Sequence, residues 1–210
     1  SEVDAPCVRT ATEVVACLGA PGVVAQDLAL GRQLWSSRTH ADGIAAIADR
    51  ASPEPQFPSI QEKVDWLTEM SGRLARRVPD REARLDLLKT VYYEAKRAGL
   101  DPQMVLGLIQ VESGFKKYAL STAGARGYMQ VMPFWTRLIG TPDSNLFHMR
   151  TNLRFGCTIL RHYVDLEKGD LFRALGRYNG SLGRAEYPNL VRAAWERNWS
   201  YASIRLAQTP

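Results

Sequence analysis

The sequence has little of what metal, nucleotide and membrane chemistry usually require. Its 210 residues include three cysteines and three histidines. Cys7, Cys17 and Cys157 show no zinc-like pairing, and His148 and His162 are singletons on or beside helices, so no metal site is expected. No glycine-rich phosphate loop follows a strand pattern, and there is no nucleophile elbow. No apolar run approaches membrane-spanning length, so nothing in the chain is expected to cross a bilayer. Strand-length alternation is missing throughout, which predicts an all-α fold with at most a small β element within 113–131. That same stretch lacks something else: from Ser113 to Pro142 there is not one acidic residue.

What is present is ordinary in composition and mildly basic, with a net charge of +5. The cations are scattered (Arg73, Arg76 and Arg77; Lys116 and Lys117; Arg173, Arg177 and Arg184), with no block or aromatic-interleaved motif, so nucleic acid is not the expected partner. An anionic cell-wall polymer fits the charge, as does a merely solvated surface. Cys7 and Cys17 suit either a local disulfide in an oxidising compartment or two unpaired small residues; Cys157 falls in an apolar helical pattern and reads as core. Beginning at Ser1, the chain reads as a mature or trimmed product.

Residues 1–58 read as a helical N-terminal region closed by a proline-rich linker, ASPEPQFP at 51–58, with His40 in a polar turn. A second unit is expected over 59–210. Ser59 and Glu62 make a capping box for a helix over 59–77, with Ile60, Val64, Leu67 and Leu74 as its apolar stripe. Asp80 starts the next helix, with Gly99 at its end. Pro133 opens a short helix that stops at Gly140. Thr151 reads as the cap of another, Asp170 as the cap of one ending at Asn179-Gly180, and a last amphipathic segment runs from Leu190 to Trp199.

The central stretch is 101–132. Asp101-Pro102 is a helix start, and Met104, Val105, Leu106, Leu108, Ile109 and Val111 make the helix apolar on nearly every side. It ends on Glu112. A carboxyl there is desolvated and near the negative end of the helix dipole, and both effects raise its pKa toward what a general acid needs near neutrality. Behind it, Gly114, Gly124 and Gly127 predict a loop that brings backbone close to something. A paired-acid glycosidase would need a second carboxylate, and the adjoining loop supplies none.

Glu112-Ser113, then Gly127-Tyr128-Met129-Gln130, then Tyr178-Asn179 on a later helix form an ordered set. In this set the chain resembles the soluble lytic transglycosylases, members of the goose-lysozyme-like glycosidases, over roughly residues 85–199. The resemblance implies a lysozyme-like α domain that cleaves the β-1,4 bond between N-acetylmuramic acid and N-acetylglucosamine of peptidoglycan strands without adding water. It implies one catalytic residue, Glu112, and no metal or cofactor. It assigns substrate binding to Ser121, Tyr128, Met129, Gln130, Met132, Tyr178 and Asn179. Ser121 would contact the acetamido group, Met132 would line the groove wall, and the Tyr178 hydroxyl would lie by Glu112. Two departures stand out: Tyr128, where leucine is usual, would offer a stacking face to a sugar, and Arg177 puts a charge beside Tyr178. Localisation in the bacterial periplasm or cell envelope follows. The rival expectations are a hydrolytic muramidase and a non-catalytic wall-binding or secretion-apparatus component.

Overall fold

A computed structural model describes residues 37–48 and 54–201. Among the described residues eight α-helices run in order: α1 Ser37–Ala48, α2 Ile60–Leu74, α3 Arg81–Arg97, α4 Pro102–Ser113, α5 Phe134–Ile139, α6 Met149–Leu166, α7 Leu171–Asn179 and α8 Glu186–Ala194. A π-helical turn, Trp195–Trp199, continues α8. Among the described residues no strand forms; the β content is two isolated bridges, Leu120 with Arg126 and Arg126 with Val131. The fold is all-α, as expected. Cys7, Cys17 and the N-terminal segments before α1 lie outside the described residues.

The caps explain most helix starts. Ser59, Asp80, Asp101 and Asp170 each accept a hydrogen bond from a backbone N–H two or three residues on, which satisfies a donor the helix leaves free. At α6 the expectation fails: the helix begins at Met149, one turn before residue 152, and Thr151 lies inside it with its hydroxyl against His148 Nδ1. The last helix starts earlier than expected, at Glu186, with Pro188 in its first turn where no N–H is needed. His40 belongs to α1 rather than to a turn.

α4 is the buried centre. It packs against α8, the π-helical turn and α3, while α6 packs against α3, α7 and α1. Gly107 allows the closest crossing, because a Cβ there would meet the Trp195 backbone nitrogen at 2.9 Å. Two bonds fix the same crossing farther along: Gln110 Oε1 accepts from Trp199 Nε1 at 2.9 Å and from Asn198 Nδ2 at 3.2 Å. On α2 the buried face is Trp66, Met70 and Leu74. Ile60 and Val64 are exposed at 83% and 52%, since a 100° step carries them past the edge of that face. Residues 54–58 are docked rather than loose: Pro55 is buried, and Phe57 stacks on Tyr92 with ring centroids 3.7 Å apart.

A buried ionic cluster joins α3 to α6. Glu94, fully buried, accepts from Arg154 at 2.9 Å and from Arg97 at 2.8 Å. Arg97 also donates to the Ala46 carbonyl at 3.2 Å, which ties α1 to this pair.

Candidate functional site

Glu112 stands at the last turn of α4, 4% exposed. The helix reaches it intact because Asp101 Oδ1 accepts from the Gln103 and Met104 N–H groups at one end. At the other end Gly114, at φ +57°, turns its N–H to the Gln110 carbonyl. Ser113 then bolts the helix end to the following loop, its hydroxyl donating to the Tyr128 carbonyl at 2.7 Å. Burial pushes the Glu112 carboxyl from 4.5 to about 7, partly offset by a hydrogen bond that Tyr187 donates to Oε1. Among the described residues no carboxylate contributes to that rise.

The loop from 114 to 132 is held by its own backbone and by side chains from later helices, Asn152 foremost. Asn152, fully buried on α6, accepts from the Met129 N–H at 2.8 Å and donates to the Arg126 and Leu146 carbonyls at 2.7 and 2.8 Å. Gly127, at φ +74°, is required twice over: its backbone is left-handed, and a Cβ would lie 2.5 Å from Asn152 Nδ2. Ser121 is buried, with its Oγ accepting from the Ala125 N–H at 3.0 Å, so its hydroxyl shapes the turn. Gln130, at φ +48°, donates from Nε2 to the Gly127 and Ala119 carbonyls, while its Oε1 is buried without a partner. Exchanging the amide O and N would not help, since both Nε2 partners are acceptors.

Tyr128 and Met129 turn inward. Tyr128 is 7% exposed, so the expected stacking face is instead core surface. Met129 is fully buried against Gly156, where a Cβ would come within 2.4 Å of its sulfur. Their contribution at the site comes through the main chain: the Tyr128 carbonyl holds Ser113, and the Met129 carbonyl accepts from the Tyr178 hydroxyl at 2.8 Å. Tyr178 is near enough to Glu112 for the carboxylate charge to help raise its phenol pKa, behind burial as the larger cause. Met132 is half-buried at the loop's end. Asn179 bonds Ser181 at 3.0 Å where α7 closes on Gly180, φ +74°. Arg177 pairs with Glu167, so its charge is matched.

Two residues that sequence reading passed over carry much of the site. Tyr187 touches Glu112 directly; beginning the last helix at Leu190 left it in an apparent connector. Asn152 had a signal, since it shares a helical face with Phe155, Gly156 and Ile159, all buried, and is the polar residue among them. Cavities of about 450 Å³ between α1, α5 and α6, and of about 510 Å³ beside Trp66, Gln103 and Tyr201, contain neither Glu112 nor its partners. Among the described residues no three His, Cys, Asp or Glu side chains come together to hold a metal.

The profile of the transglycosylase SLT domain matches residues 89–195, half of the chain, and spans Glu112, the loop behind it, Asn152, Tyr178 and Tyr187. The transglycosylase of Enterobacteria phage PRD1 is 31% identical over 99 residues, 47% of this chain and 36% of its own. The membrane-bound lytic murein transglycosylase C of Actinobacillus pleuropneumoniae serotype 5b is 54% identical over 39 residues, 19% of this chain and 11% of its own. That of Mannheimia succiniciproducens is 46% identical over 46 residues, 22% and 13% respectively. The chain therefore spans about a third or less of the length of these relatives. No solved structure matches it.

Proposed function

Because the chain belongs to the transglycosylase SLT family, we propose that it is a lytic transglycosylase cleaving the MurNAc-β-1,4-GlcNAc bond of peptidoglycan, with Glu112 as its single acid and base. The observation that carries this reading is a buried carboxyl, held protonated up to about pH 7, on which no second carboxylate acts among the described residues. In a paired-acid glycosidase the partner stands within about 5–10 Å, close enough in a buried site to act on Glu112 electrostatically.

The chemistry then follows from one group. Tyr187 occupies Oε1, leaving Oε2 to carry the proton. Glu112 gives that proton to the glycosidic oxygen as the C1–O bond breaks, and the acetamido oxygen of the muramoyl unit shares the positive charge at C1. The resulting carboxylate removes the proton from the C6 hydroxyl, O6 bonds to C1, and a 1,6-anhydro ring closes. The proton lent leaves on the departing sugar's oxygen and one from the C6 hydroxyl replaces it, so Glu112 ends protonated and no water is consumed. Proximity favours the C6 hydroxyl over solvent when the sugar is held in place. Gln130 is a candidate for shaping the loop that holds it, because its Nε2 ties the Gly127 and Ala119 carbonyls together. Ser121, Met132, Tyr178 and Asn179 would line the same groove; Tyr128 and Met129 would position it through their carbonyls.

We assign the catalytic domain to 59–210 and treat 1–58 as a region preceding it. The substrate places its action in the bacterial periplasm or cell envelope. Among the described residues no helix is long and apolar enough to cross a membrane. Mass spectrometry of digested sacculi tests the mechanism: the released muropeptides should carry anhydro ends, one water lighter than hydrolytic products. Reducing ends alone would make the enzyme a muramidase.

A further inference from the structure

Resting on the reading of Glu112 as the acid of a glycan-cleaving site, we propose that Tyr118, Leu120 and Phe147 form a saccharide platform on the outer edge of the loop. It would hold a sugar of the same strand beyond those at the reacting bond. Tyr118 is 71% exposed and Leu120 63%. They flank Ala119, whose carbonyl turns inward to accept from the Gly127 N–H at 2.8 Å and from Gln130 Nε2 at 3.2 Å. Ala119 thus faces the loop interior through its carbonyl while the side chains on either side of it, at 118 and 120, are exposed. The segment is pinned, not slack: the Leu120–Arg126 bridge and the paired Ser121–Ala125 bonds close its far side.

Phe147 extends the surface, its ring centroid 6.0 Å from that of Tyr118 at an angle of 49°. Lys117 Nζ sits 5.3 Å from the Tyr118 centroid, and Arg126 Cζ 5.8 Å from that of Phe147. With one face covered by Lys117 and an edge by Phe147, an exposure of 71% leaves the other face of Tyr118 open. An aromatic face carries negative charge density, and the C–H-rich face of a pyranose presents weakly positive hydrogens. The flanking cations match the carboxylates of the lactyl-peptide on muramic acid, and no acidic residue from 113 to 142 opposes them. The same loop connects this edge to the Glu112 helix: Gln130 Nε2 braces the Ala119 carbonyl, and the Tyr128 carbonyl two residues before Gln130 accepts from the Ser113 hydroxyl next to Glu112.

Co-sedimentation with purified sacculi, in an E112Q background that binds without cleaving, tests the platform. Adding Tyr118→Ala should weaken binding about three- to tenfold, the worth of one aromatic contact, and Tyr118→Trp should restore it. On the wild-type background the same change should raise KM for long glycan strands while leaving the shortest cleaved oligosaccharide unaffected. Equal binding by the Tyr118→Ala protein and its parent, or no binding by the parent, overturns the platform. Failure of the Glu112 reading shows separately, as continued lysis of sacculi by the Glu112→Gln protein, and the sedimentation comparison is then read at short times on sacculi still intact.

Discussion

Two buried glutamates on consecutive helices differ in what surrounds them, and the difference separates structure from chemistry. Glu94 on α3 is fully buried and meets two guanidinium groups, Arg97 and Arg154, within 3 Å. Glu112 on α4 is 4% exposed and meets a tyrosine hydroxyl. A buried carboxylate with cationic partners has its charge matched in place and serves to join helices. One without such partners holds its proton and can lend it. Burial is common to both; the cation decides.

Removing the lendable proton should produce the largest effect. Glu112→Gln is expected to lower lytic activity on sacculi on the order of 10²–10⁴-fold, the usual contribution of a positioned acid. The same change should not weaken the fold. Glu112 binds its proton more tightly folded than unfolded, so its contribution to stability is complete below about pH 4.5 and fades as pH rises through about 7. At about 1.4 kcal/mol per factor of ten in proton affinity, the loss is about 3 kcal/mol. Denaturant titrations at pH 4 and pH 8 should show the wild type losing this stability and the glutamine variant keeping it. A variant that is inactive and equally pH-sensitive would mean that Glu112 is not the group titrating.

Glu94→Gln is the converse experiment. It leaves the buried Arg154 and the half-buried Arg97 short of their counter-charge, which should cost about 3–5 kcal/mol and lower Tm. Activity per folded molecule, measured well below the new Tm, should be nearly unchanged. If activity fell while the protein stayed folded, the cluster joining α1, α3 and α6 would reach the Glu112 groove, and the two glutamates would not be separable.

How legible each glutamate was in the sequence follows the range of its interactions. Helix ends were readable because their chemistry is local: Ser59, Asp80, Asp101 and Asp170 cap N–H groups two or three residues away. Glu112 was readable too, as an acid at the end of an apolar helix before a glycine-bearing, acid-free loop. What decides each glutamate's role was not. Arg154 is 60 residues from Glu94, and Tyr187 is 75 from Glu112. Asn152 reaches across 23 residues to order the loop. Nothing in helical periodicity pairs such positions. The inward turn of Tyr128 was hidden for a related reason: in a loop with several left-handed residues, no period tells which side chains point in.

The smallest expected change tests the tyrosine that stands where Glu94 has its arginines. Its hydroxyl stabilises the Glu112 carboxylate and so opposes the effect of burial. Tyr187→Phe should therefore raise the Glu112 pKa further above about 7, because the charged form loses its donor. The falling limb of kcat/KM, measured from pH 5 to 9, should move up by about one pH unit, the scale of a hydrogen bond to a charged group. Activity on the plateau below it should drop only severalfold, since the proton remains and only its positioning is relaxed. A limb that stays put would show that Tyr187 does not bond the carboxylate in the working enzyme. A limb that moves down would mean the tyrosine had been raising the pKa, and the contrast with Glu94 would then need a charge not yet identified beside Glu112.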